Sequence, residues 1–411
     1  MESVREILVT TPADLEACCA HLAECSRLGL DTEFVGETSY HPELCLVQVA
    51  TETALYLIDP FAFESLDAFW KFVASPTHRV VVHAGREEVR LCHLAFGQVP
   101  ARLFDLQIAA GLAGLPYPLG HGSLVYHVLG RKLSKGETLT EWRRRPLTTS
   151  QIHYAFDDVR HLLAIQEKLE ERLQSLGRQA WAEEEFQRLT ELATPEAPTT
   201  EAVGEKWRKV RGASSLDRRR LAILRELYVW REQTALQLNR PARVIVRDDL
   251  LVEIARRPAK SARDLQVVRG LAHKHLGDIF AAIERGRMVP LDACPAPSER
   301  EQDPPQIALA VSIVQAALFD FATKQHLAPN LVASNQDVKS LVRAFVQGDV
   351  MQAAALLTRG WRTEFVLPHL LAILEGRRGL RIADLRREAP LDYSENLNAE
   401  AAAPPTGNSS R

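Results

Sequence analysis

The sequence predicts an α/β domain built on a mixed sheet with flanking helices, followed by two small all-α bundles. Three observations carry this. Short runs rich in Val, Ile and Leu alternate with helix-period patterns as far as Leu176. No strongly alternating run follows them. Two stretches with linker chemistry, Ala193–Thr200 and Cys294–Pro305, then divide the 411-residue chain. The expected division is a sheet domain over 1–192, a linker over 193–205, a first bundle over 206–291, a linker over 292–305 and a second bundle over 306–392. A disordered tail over 393–411, rich in Ala, Pro, Ser and Asn, is expected to follow.

In chain order, the expected strands are Ile7–Thr10, Leu28–Phe34, Leu44–Ala50, Ala54–Ile58 and Arg79–His83, short and β-branched. Helices are expected over Pro12–Leu28, Glu64–Val73, Arg86–Ala95, Leu106–Ala113 and Leu124–Leu129. A long one over Thr149–Leu176 has Thr148, Thr149 and Ser150 available as caps. A three-stranded meander followed by βα units gives a mixed sheet covered by helices. In the first bundle Leu221, Leu224, Leu227, Tyr228 and Trp230 follow a helical period, and further helices are expected over Asp248–Ala255, Ala262–Val267 and Ala272–Arg285. The second bundle is expected to hold Ile307–Gln325, Asn335–Gln347, Met351–Leu357 and Trp361–Leu374.

Apolar content of 46% and charged content of 25% fit a soluble globular protein. No run approaches 18 apolar residues, so no membrane span is expected, and the acidic start Met1–Glu6 lacks an apolar signal region. Six cysteines without a C-x₂-C pair read as buried free thiols of a reducing, cytoplasmic compartment. The net charge of −3 hides an asymmetry: Lys206–Arg287 holds 20 Lys/Arg against 9 Asp/Glu. A basic module inside an otherwise acidic chain points to a polyanion, and nucleic acid is the expected partner.

The chemistry-bearing residues are acids in apolar settings. Asp31 and Glu33 end an apolar strand two residues apart, so they share one face and offer oxygen ligands to a hard cation such as Mg²⁺. Tyr154 and Asp158 lie at i and i+4 on a helix face continued by Leu162, where a buried acid needs a partner. Asp157, one step round, should be solvated. The strand end at His83 leads into Glu87 and Glu88; the histidine is expected to pack rather than ligate. Taken alone each piece has an ordinary reading: strand-end surface acids, an amphipathic core tyrosine beside an exposed acid, and acids favoured by a helix dipole. A two-metal site would need about four carboxylates drawn from separate elements.

Together these pieces resemble the ribonuclease D family of the DEDD exonuclease superfamily, whose third motif carries a tyrosine. The first motif stands as Asp31-Thr32-Glu33-Phe34, followed by Tyr40-His41-Pro42-Glu43-Leu44, and the third as Tyr154-Ala155-Phe156-Asp157-Asp158. Leu103–Gln107 and Glu141-Trp142-Arg143-Arg144-Arg145-Pro146-Leu147 also look familial. The second segment is similar to an HRDC domain through Trp230-Arg231-Glu232 and Asn239-Arg240-Pro241, and the third looks like a second HRDC-like module. At the second motif this chain departs, with Glu88 where the family has Asp. The resemblance implies a ribonuclease H-like exonuclease domain that cleaves RNA from its 3′ end, releasing nucleoside 5′-monophosphates. It implies two Mg²⁺ or Mn²⁺ ions on Asp31, Glu33, Glu88 and Asp158, with Tyr154 orienting the attacking water. Transfer RNA precursors are the implied substrates and a monomer the implied state. Lys135, Arg143 and Arg144 are expected to contact phosphates on the first domain, and Lys209 and Arg211 on the second, with Trp207 stacking on a base. Two other readings stay open: a DNA 3′–5′ exonuclease of the same superfamily, and an RNA-binding scaffold whose metal site is weakened by Glu88.

Overall fold

The computed structural model describes residues 4–133, 141–194, 204–297, 303–352 and 356–395. Its main sheet has six strands: β1 (Arg5–Val9), β2 (Arg27–Val35), β3 (Glu43–Ala50), β4 (Ala54–Ile58), β5 (Arg79–Val82) and β6 (Leu103–Asp105), in the order β1-β4-β3-β2-β5-β6. β3 and β4 are antiparallel, while β1/β4, β2/β5 and β5/β6 are parallel. The meander and the βα units expected from the sequence are therefore present. β6 is additional to the expected strands, because three residues are too few to show a period.

The helices of this region are α1 (Pro12–Leu22), α2 (Asp67–Ala74), α3 (Arg86–Phe96), α4 (Leu106–Leu112), α5 (His121–Leu129), α6 (Thr149–Arg160), α7 (Leu162–Ser175) and α8 (Gln179–Ala193). Local chemistry sets their starts. Thr11 and Asp14 form a capping box on α1, with Pro12 just inside it, and Thr148 and Gln151 form one on α6. The single long helix expected over Thr149–Leu176 is two helices. The N–H of His161 turns back to the Val159 carbonyl, which breaks the i→i−4 ladder at that point. Helix α1 stops at Leu22, not Leu28, since Arg27 and Leu28 pair with Arg79 and Val80 in the sheet.

By its internal contacts the chain forms two compact units. One holds Met1–Thr32, Leu46–Thr194 and Asp303–Arg411; the other holds Glu33–Cys45 and Pro195–Gln302. In the first, the C-terminal helices pack on α8. Trp181 stacks on Trp361 with ring centroids 4.5 Å apart. Arg362, fully buried, pairs with the buried Glu185 and donates to the carbonyls of Leu331 and Val332 at 2.8 and 2.7 Å. The C-terminal segment is not purely helical. Arg378–Ile382 (β7) and Leu391–Glu395 (β8) form an antiparallel hairpin, so order extends past Tyr393, where the tail is expected to begin. Buried Asp320 holds β8 by accepting from the Leu391 N–H at 2.7 Å and the Tyr393 hydroxyl at 2.8 Å. Asp320 belongs to Pro305–Lys324, the one helix among the described residues long and apolar enough to cross a membrane. Core helices pass the same test, and this one carries that bonded, buried carboxylate.

The second unit is a helical bundle centred on Arg218–Gln237, packed against Asp248–Arg256 and Leu276–Met288 around Leu224, Leu227, Ile279 and Ile283. Asn239 accepts from the backbone N–H groups of Tyr40 and His41 at 3.1 Å, which ties the loop after β2 to this unit.

Candidate active site

The site is assembled where β2 ends, beneath α3 and α6. Gly29 leaves room for α7: a Cβ there would meet Leu162 and Ala50 at 3.2 Å. Asp31 and Glu33 follow at period two, so they share the Gly29 face, on which α7 packs. Asp31 and Glu33 are both half-buried, and Thr32 between them is buried. Asp158 comes from α6 and receives a hydrogen bond from the hydroxyl of Tyr154, one turn earlier. Glu88 comes from the first turn of α3 and is buried, its Oε1 accepting from the Thr32 hydroxyl at 2.8 Å. Glu87 points away and pairs with Arg90 at 3.3 Å. The two neighbouring glutamates thus have separate partners, and the inward one is Glu88.

Electrostatics bind the three acids together. Burial raises the Asp158 carboxyl to about 8, and the nearby Asp31 pushes it in the same direction. Burial, then repulsion from Asp31, also raises Glu88, while Asp31 is raised chiefly by burial. None of these shifts is opposed by a lysine or arginine among the described residues. Such a cluster ionises only partly on its own, because like charges in a poorly solvated site compete for protons. A divalent cation would offset this charge, since carboxylate oxygens are hard ligands. Among the described residues no three acids, histidines or cysteines converge on one point as a ready-made metal cluster.

Several contributors carry no signal in the sequence. Thr32 positions Glu88. His121, at the start of α5, brings Nδ1 to 3.8 Å from Asp158 and stacks obliquely on His83 at 5.6 Å. Burial lowers the His121 imidazole to about 4, so it sits neutral beside the acid. Asp105 is buried but committed: it caps α4 through the N–H groups of Gln107 and Ile108 and accepts from Gly85 at 2.8 Å, fixing the start of α3. His83 packs as expected, with Nε2 2.8 Å from the Leu119 carbonyl oxygen.

The expected nucleic-acid contacts fare unevenly. Arg144 is exposed and Arg143 half-buried in the turn before α6; Lys135 lies outside the described residues. Lys209 and Arg211 are exposed on the second unit. Trp207 is not available for stacking. It is 1% exposed, part of that unit's hydrophobic core, with the Arg208 guanidinium 4.4 Å over its ring. An indole beside lysines is spent on packing here because the short turn Lys206–Lys209 has no other large apolar anchor.

A 3′-5′ exonuclease family model matches residues 7–174 and an HRDC domain model matches 220–283. Ribonuclease D of Granulibacter bethesdensis is 34% identical over 377 residues, covering 90% of this chain and 92% of that protein. Ribonuclease D of Acidiphilium cryptum is 33% identical and covers 93% and 96%. The crystal structure of Escherichia coli RNase D, described as an exoribonuclease involved in structured RNA processing, superposes with a TM-score of 0.77 at 28% identity, covering 91% of this chain and 99% of that one. The mixed sheet and these likenesses lead to one assignment: the chain belongs to the ribonuclease D family of 3′–5′ exoribonucleases.

Proposed function

We propose that this chain is a two-metal-ion 3′–5′ exoribonuclease that trims the 3′ ends of transfer RNA precursors as a monomer and releases nucleoside 5′-monophosphates. The observation that carries the reading is the cluster of Asp31, Glu88 and Asp158, one buried and two partly buried acids whose raised carboxyls no lysine or arginine among the described residues offsets.

In this reading Asp31 and Asp158 are the principal ligands, Glu33 completes the set beside the terminal nucleotide, and Glu88 supports the second ion. Two divalent cations held by these carboxylates would supply Lewis-acid activation and offset negative charge at the reacting phosphate. Tyr154 holds Asp158 in place and orients the water; a tyrosine hydroxyl, with an ordinary pKa of about 10, is a poor base near neutrality. Arg143 and Arg144, with Lys135, contact phosphates of the RNA on the first domain, and Lys209 and Arg211 are further phosphate contacts on the second. The third segment, 306–392, is a second HRDC-like module in this scheme, joined to the exonuclease domain of 1–192, and 206–291 is the first.

Product analysis tests the reading. A transfer RNA with a 3′ extension, incubated with Mg²⁺ and then Mn²⁺, should lose the extension as 5′-monophosphates. Internal fragments, or no shortening with either ion, would overturn it.

A further inference from the structure

The turn before α6 contains an arginine, Arg145, that spends most of its donors on partners within the domain. Nε and Nη2 of Arg145 grip both carboxylate oxygens of Asp59 at 2.5 and 2.8 Å, while Nη1 donates to the carbonyls of Trp142 and Arg144 at 2.8 and 3.0 Å. The guanidinium also lies 4.8 Å over the Phe61 ring. Four of the five N–H donors of the planar fork are thereby committed within the domain. The anchor is rigid. Asp59 follows β4 directly, donates its N–H to the Val9 carbonyl and caps the next turn through the Phe61 N–H.

What this clamp fixes is the carbonyl of Trp142, and the Trp142 indole is buried with its ring centroid 6.2 Å from that of Tyr154, tilted by 38°. The phenol is thereby walled on one side while its hydroxyl bonds Asp158. We propose that Arg145 is a positioning residue of the exonuclease site: clamped to Asp59, it seats Trp142 against Tyr154 and so fixes the phenol hydroxyl on Asp158. The inference rests on the reading of Tyr154 given above. It explains why a basic run next to the site spends one of its three arginines internally.

The test is a mutant cycle on the full chain, with single-stranded RNA and Mn²⁺. Arg145→Lys keeps the charge and breaks the fork; Asp59→Asn weakens it from the other side. Each should lower kcat by about tenfold with KM changed less than about twofold, as expected of a misplaced group that does not itself bind substrate. In a Tyr154→Phe background the same changes should cost nothing further. With fluorotyrosine incorporated, the ¹⁹F resonance lost in Tyr154→Phe should shift in Arg145→Lys. Additive losses, a raised KM with unchanged kcat, or an unmoved resonance would overturn the proposal. If Tyr154→Phe alone retains full activity, the assignment of Tyr154 fails, and the proposal with it.

Discussion

The hydroxyl of Thr32 donates a 2.8 Å hydrogen bond to Oε1 of Glu88, joining the strand that carries Asp31 to the helix that carries the site's third acid. Both groups are buried, so the bond substitutes for the water that the carboxyl has lost.

Replacing Thr32 by Val should therefore leave the Glu88 carboxyl unsatisfied. The expected cost in metal-free protein is about 1–3 kcal/mol, the penalty of an unpaired buried polar group. With saturating Mn²⁺ the carboxylate gains a different partner, and the cost should shrink. Urea unfolding with and without the ion measures both; an equal cost in the two conditions would show that Glu88 does not turn to the metal.

The acid cluster fixes the sign of a pH effect. Asp158 is raised in the folded chain to about 8, so between its unfolded value near 4 and that point the native state binds more protons than the unfolded one. Stability contributed by this group is present below that window and lost as pH rises through it. In EDTA, Asp158→Asn should match the parent at pH 4 and exceed it at pH 8 by at least about 1 kcal/mol. Thermal melts at the two pH values check this, and a variant less stable than the parent at pH 8 would contradict it.

Glu185 and Arg362 form a fully buried pair that ties α8 to the C-terminal helices. Glu185→Ala strands a buried guanidinium and should cost about 3–5 kcal/mol. The double variant Glu185→Leu/Arg362→Met should recover much of that loss, since two charges then leave the interior together. Chemical denaturation of the single and double variants provides the comparison.

In the second unit packing and binding are separable. Trp207→Ala should destabilise that bundle by about 3–5 kcal/mol through the cavity it leaves. Lys209→Ala and Arg211→Ala should leave unfolding unchanged and each reduce the salt dependence of RNA affinity by about one phosphate's worth. Filter binding across a salt series reads the slope.

How far the sequence reaches is visible residue by residue. Asp31, Glu33, Tyr154 and Asp158 are readable because strand and helix periods fix which side chains share a face, whereas Glu88 is told from Glu87 only by the family resemblance, both opening the same helix. Thr32 and His121 are not, since their partners lie on other elements, 56 residues away in sequence for Thr32. Arg145 looks like its two basic neighbours until its carboxylate partner is placed. Trp207 misleads because an aromatic among lysines suits a stacking platform and a core anchor equally. The β7–β8 hairpin escapes notice because its strands are polar and half-exposed, and the break at His161 because a one-residue interruption leaves the helical period nearly unchanged.

The central claim is that Asp31 and Asp158 hold the chemistry. Its most direct test is release of the terminal nucleotide from a 3′-labelled single-stranded RNA by Asp31→Ala and Asp158→Ala, in Mg²⁺ and in Mn²⁺. Loss of at least about 10²-fold in kcat with RNA affinity retained is the predicted result, since these groups act on the reacting phosphate and not on the rest of the strand. Undiminished release by either variant would contradict the account.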